Sequence, residues 1–194
     1  MHTYALTPVE PVITSAELAD WLGVDATDTL LPIMAESATS AAIEYLQSEL
    51  ISRQRKVIYQ VWPSVGTNTC PSLSRNNLFL KNTIELPYSR LISIEEVKQA
   101  GEITTDYTVK ETLPAAIQFD YATTLMDESI PAVEATYTAG YGAIGDVPAA
   151  IKLGVSQLAA YLYEHRGACS MDDALKNSGA AATFTPYMTF VVML

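Results

Sequence analysis

Gly140-Tyr141-Gly142-Ala143-Ile144-Gly145 matches the G-x-G-x-x-G fingerprint, in which a glycine turn brings backbone amides to a dinucleotide pyrophosphate. That chemistry needs a buried, nearly continuous apolar strand ahead of the glycines. It also needs a second parallel strand after the helix, ending in an acidic residue. Here Val133, Ala135 and Tyr137 alternate with Glu134, Thr136 and Thr138, the pattern of a half-exposed antiparallel strand. Beyond the following helix come Gly167 and another polar segment, and Asp146 and Pro148 stand where phosphate-facing amides are required. Gly140, Gly142 and Gly145 are therefore read as a hinge between a β segment and a helix.

Other reactive residue types are sparse or badly placed. His2 falls in the N-terminal dozen residues. His165 sits beside Arg166 at a predicted helix end, where the dipole favours cations. Neither has further ligands at metal-binding spacing. Cys70 and Cys169 show no zinc or redox spacing and read as idle thiols. The serines and threonines lack a nucleophile elbow or a paired histidine. Asp127-Glu128 and Asp172-Asp173 are carboxylate pairs, but nothing sets them together in a cleft for acid–base work. Of the 11 tyrosines, Tyr137, Tyr141, Tyr161 and Tyr163 crowd the last strand and helix, as core or as subunit contact. No enzyme activity, catalytic residue, cofactor or metal is expected.

The elements that carry these residues come from 194 positions, 49% hydrophobic and 17% charged, enough for one packed domain or a small domain with an insertion. No apolar run reaches the roughly 20 residues of a membrane span, and the first residues lack signal-peptide character. A soluble cytoplasmic chain, or one in particles assembled there, is expected. The net charge is −11 and unevenly spread: Met1 to Leu50 has eight carboxylates and no Lys or Arg. Such a surface repels phosphate and argues against nucleic-acid binding by charge neutralisation.

The first dozen residues, with Pro8 and Pro11, read as an extended arm. Thr14 or Ser15 caps a short helix with the apolar stripe Leu18, Trp21 and Leu22, closed by Gly23. Asp28 caps a second helix running to about Ile51, rich in small residues between Ala35 and Ala42. Then the period changes. Lys56 to Trp62, Leu78 to Leu80, Thr83 to Leu86, Ile92 to Gln99, Thr105 to Lys110, Ala116 to Asp120 and Ala132 to Thr138 predict short strands, with a long polar loop from Ser64 to Asn77. Helix returns at Val147 behind Asp146 and Pro148, burying Ile151, Val155, Leu158 and Leu162 and closing at Gly167. A short helix is predicted over Met171 to Asn177, then the apolar stretch Phe184 to Leu194. The predicted fold is α+β: residues 1–54 and 143–194 form a helical core with terminal arms, and residues 55–142 an inserted antiparallel β lobe.

Val133-Glu134-Ala135-Thr136-Tyr137-Thr138-Ala139-Gly140-Tyr141-Gly142, with Asp146-Val147-Pro148 and Tyr161-Leu162-Tyr163-Glu164-His165-Arg166, resembles the signature of tailed-bacteriophage head–tail connector (adaptor, head-completion) proteins. The opening helix from Thr14 to Val24 and the closing Thr185-Pro186-Tyr187 resemble that family too. Residues 62–120 depart from it, since short members have only a hairpin there.

The resemblance implies a virion protein at the head–tail junction, assembled in the host cytoplasm as a ring of twelve copies. That ring would sit between the portal and the stopper or tail and extend the channel through which DNA passes without specific binding. On this reading Phe184, Pro186, Tyr187, Phe190 and Leu194 would contact the portal or a neighbouring subunit. Glu17, Asp20, Asp28, Glu36 and Glu44 would face the lumen. Other readings are a tail-completion or terminator protein, a nucleotide-binding enzyme built on the glycine turn, and a host adaptor binding one partner through its β lobe.

Overall fold

The computed structural model describes residues 1–62, 82–88, 90–120, 129–166 and 170–188. Cys70, Cys169, Gly167, Asp127-Glu128, the loop from Ser64 to Asn77, the strand expected at Leu78 to Leu80, and Phe190 and Leu194 lie outside them.

The chain forms strand β1 (His2–Ala5), helices α1 (Ser15–Leu22) and α2 (Leu30–Leu46), and strands β2 (Arg53–Tyr59), β3 (Thr83–Glu85), β4 (Leu91–Gln99), β5 (Glu102–Ile103), β6 (Tyr107–Lys110), β7 (Ala116–Phe119) and β8 (Val133–Ala139). Helices α3 (Ala149–Glu164), α4 (Met171–Asn177) and α5 (Ala180–Phe184) follow. The fold is α+β with open antiparallel sheets, as the periodicities predicted.

Two cores form. In the first, α1, α2, α3, α4 and α5 bury Leu18, Leu31, Ala38, Leu46, Ile151, Leu158 and Phe184. Alanines at 35, 38 and 42 leave α2 a nearly smooth buried face. The second core lies between two sheets, β1-β2-β8-β4-β5 and β3-β7-β6. Inward residues of β2, β4 and β8 meet Ile84, Ile117 and Phe119, and Trp62 sets its ring edge-on to Phe119 at 5.2 Å. β8 shows the alternation that the sequence promised, with Val133, Ala135, Tyr137 and Ala139 buried.

Local chemistry explains the helix starts. Thr14 and Glu17 close a reciprocal capping box on α1, and Ser170 caps α4 by accepting from the Asp173 amide. At the end of α3, Arg166 Nε donates to the Tyr163 carbonyl at 2.9 Å, and His165 stacks on Tyr161 with centroids 4.0 Å apart.

Several expectations are corrected. The N-terminal arm begins as an edge strand: His2–Ala5 pair antiparallel with β2 and join the sheet, while Val9 and Val12 farther along pack with the helices. Helix α2 stops at Leu46, five residues early, because Gln47 takes a left-handed conformation (φ 50°) and the chain must turn toward β2. Trp21 is 53% exposed and no part of the core, since the short α1 turns Leu18, Ala19 and, in part, Leu22 inward. Asp146 does not cap α3. It ends a preceding 3-10 turn, its carboxylate accepting the Ala143 amide at 2.9 Å, and Pro148 holds the N-cap position.

Candidate functional site

The glycine turn lies where the chain crosses back from sheet to helices. Gly140 N–H donates to the Arg90 carbonyl at 2.9 Å, Tyr141 N–H to Leu50 at 3.3 Å, and Ser52 N–H to Gly142 at 2.7 Å. Gly140 has φ +136°, and a β-carbon there would stand 2.5 Å from the Ile51 carbonyl oxygen; Gly142 has φ +120°, with Asp146 Oδ2 at 2.6 Å. Glycine is required at both for close backbone approach. Gly145 has ordinary φ and open space. The fingerprint spacing thus serves strand-to-strand lacing. Asp146 occupies the amide that a phosphate would take, and β8 lies between two antiparallel neighbours, unlike a Rossmann first strand.

A charged cluster fills the same seam. Glu49 is 1% exposed and pairs with Arg55 at 2.5 Å, with Arg53 at 3.5 Å. Burial raises the Glu49 carboxyl above its ordinary value, and the two guanidinium groups oppose that shift. The Arg55 guanidinium stacks 3.9 Å from the Tyr88 ring centroid, and Tyr88 OH donates to Glu44 Oε2 at 2.6 Å. Arg90 lies 4.2 Å over Tyr141. This cluster ties α2, the segment before β4, and β2 together. The sequence reading missed it. Its one visible signal was the abrupt change at Arg53, Arg55 and Lys56 after fifty residues without a cation.

The five acidic candidates do not converge on one site. Glu36 and Glu44 share a groove of about 620 Å³ between α2 and α4, also lined by Tyr45, Met171, Asp172 and Leu175. Glu17 and Asp20 are exposed on α1, with Glu17 held in the capping box. Asp28 accepts the Leu30 amide at 2.9 Å and Tyr163 OH at 2.6 Å, a tie between α2 and α3. These bonds hold the carboxyls of Glu17 and Asp28 below their ordinary values.

Among the C-terminal contact candidates, Phe184 is corrected. Its ring is fully buried between Tyr45 and Gly154, so no outside partner reaches it. Pro186 is exposed and Tyr187 half-buried in the 3-10 turn that follows. Among the described residues, no group of three His, Cys, Asp or Glu side chains is placed to hold a metal ion, and no helix is long and apolar enough to cross a membrane.

No protein-family model matches the chain, and no curated protein does. Solved structures do. A chain in the neck of an empty gene transfer agent (GTA) particle, computed with C6 symmetry, superposes with a TM-score of 0.73 at 20% identity, covering 100% of this chain and 98% of that one. A chain in the virion of a native GTA particle gives 0.69 at 21%, and one in the neck of a native GTA particle computed with C12 symmetry gives 0.70 at 19%, with the same coverage. The likeness covers the chain from end to end, helices and sheets alike.

Proposed function

We propose that this chain is a structural subunit of a tailed, phage-like particle, located at the head–tail neck. There it forms a ring between the portal and the stopper or tail and continues the DNA channel. The carrying observation is the end-to-end structural likeness to chains of particle necks, which extends over the β lobe as well as the helices. The motifs around β8 and α3 support the same reading independently. In this role the carboxylates of Asp20 and Glu36, which have no side-chain partner among the described residues, and of Glu44 line the passage. Like charge keeps DNA sliding without adhesion. Pro186, Tyr187 and the apolar residues to Leu194 form the contact with the portal or an adjoining subunit. A twelvefold ring is the expected stoichiometry.

Electron microscopy of purified particles tests this. The expected result is density for the chain as a ring around DNA between portal and tail. Its absence from the particle would remove the neck reading.

A further inference from the structure

In the sheet β1-β2-β8-β4-β5, the strands β1 and β5 are the two open edges among the described residues. Leu6 N–H donates to the Gln54 carbonyl at 2.9 Å, which fixes the alternation along the β1–β2 register. The N–H and C=O of Thr3 and Ala5 therefore point away from β2, unpaired by it. Edge strands are ordinarily guarded by proline, lysine or a bulge. His2–Ala5 has none of these, and Tyr4 and Leu6 beside it are 44% and 46% exposed. On the far edge Gln99 faces Glu102 and Lys98 faces Ile103, while Thr104 N–H donates to Val97. By the same alternation the Ile103 peptide groups point outward, and its side chain is 68% exposed.

Charge separates the two edges. β1 and β2 carry Arg53, Arg55 and Lys56 and no carboxylate, whereas β4 and β5 carry Glu95, Glu96 and Glu102 against Lys98. Arg55 is committed to Glu49 and Lys56 to Glu134, so β1 chiefly offers a carboxylate-free strip on a chain of net charge −11. Two β5 edges would set carboxylate against carboxylate. Two β1 edges would close at a dimer, whereas unlike edges repeat around a ring.

We propose that β1 of one copy adds to the β5 edge of the next, so that the five-stranded sheets run on from subunit to subunit. This rests on the ring reading above. Every strand pair in the sheet is antiparallel, so β1 and β5 point the same way and the junction is parallel. Tyr4 lies opposite Lys56, which faces Thr136; Ile103 lies opposite Lys98, which faces Glu134. Thr136 and Glu134 are two residues apart, so Tyr4 and Ile103 share the outer face of the sheet.

The test uses particles assembled with the full chain carrying Tyr4→Cys and Ile103→Cys on a Cys70→Ser/Cys169→Ser background, mildly oxidised. The expected result is a ladder of covalent multimers extending beyond the dimer, absent from either single-cysteine variant. Dimers from Tyr4→Cys alone would show β1 against β1 and overturn the proposal. So would a ring visible by microscopy with no cross-linking, which would leave the neck reading standing. Absence of any ring would sink both. As a second arm, Ala5→Pro removes one outward N–H and spares those bonded to β2. It is expected to abolish ring incorporation with the melting temperature unchanged; normal incorporation would overturn the proposal.

Discussion

Gly154 of α3 lies so close to the Phe184 ring that a methyl group at position 154 would overlap it. The two residues are a matched pair, one giving up a side chain so that the other can seat an aromatic ring against Tyr45. Gly154→Ala is expected to destabilise by about 1–3 kcal/mol through overpacking. Phe184→Ala should lose about 3–5 kcal/mol through the cavity it leaves. Urea denaturation measures both, and wild-type stability for Gly154→Ala would contradict the packing described.

The glycine turn makes a sharper contrast. Gly140→Ala forces a side chain onto the Ile51 carbonyl at positive φ, and about 1–3 kcal/mol of strain is expected. Gly145→Ala meets open space and should stay within about 0.5 kcal/mol of wild type. Equal effects at the two positions, followed by thermal melts, would contradict the close approach at Gly140.

At the seam, Arg55→Met leaves Glu49 buried with Arg53 alone, and a loss of about 3 kcal/mol or more is expected. The double variant Glu49→Leu/Arg55→Met should recover much of it, because the buried carboxylate goes too and Arg53, partly exposed, keeps its bond to the Thr7 carbonyl. A double-mutant cycle in urea that showed simple additivity would rule out the pairing.

Alkaline titration reads the buried phenols. Burial pushes Tyr59 and Tyr88 up to about 12, and Tyr137 higher still. Raised folded values mean that their contribution is intact below the ordinary value of 10.0 and is lost as pH rises through the folded values. Ultraviolet difference spectra should show these three ionising last among the described tyrosines, with Tyr137 accompanying unfolding. On the acid side, Glu17 is depressed below its ordinary 4.5, chiefly by the Thr14 backbone amide. Its contribution holds above that value and fades as pH falls through the folded one. Glu17→Gln should flatten that part of the acid limb in thermal melts.

Much of this was legible in the sequence where neighbours along the chain decide the outcome. Thr14 with Glu17 announced α1, alternation announced β8, and His165 with Arg166 announced the end of α3. What was hidden depends on distant partners. β1 is four residues whose strand partner lies fifty positions on, and no local pattern encodes that. Gln47 ends α2 without the glycine that usually marks such a stop. Phe184 heads a run of apolar residues, and only Gly154, thirty positions earlier, decides that its ring goes inward. Glu49 and Arg55 form a buried pair only once β2 is folded into the sheet, which no local pattern announces. The candidate site fared similarly: the acidic bias was plain, while the grouping of Glu36 and Glu44 in a groove needed α4.

The end of β1, the start of β2, the end of β8 and the start of β4 lie side by side at one end of the sheet. At the usual spacing between strands, four in a row make a root about 14 Å wide. Mechanically the β lobe is then a fin fixed along its whole base rather than a flag on a single cord. A push in the plane of the sheet, delivered at its far turn near Gly101, is shared among the hydrogen-bonded strands at once. A push across the plane meets a lamina only two sheets thick. Such a part yields in one direction and holds in the other.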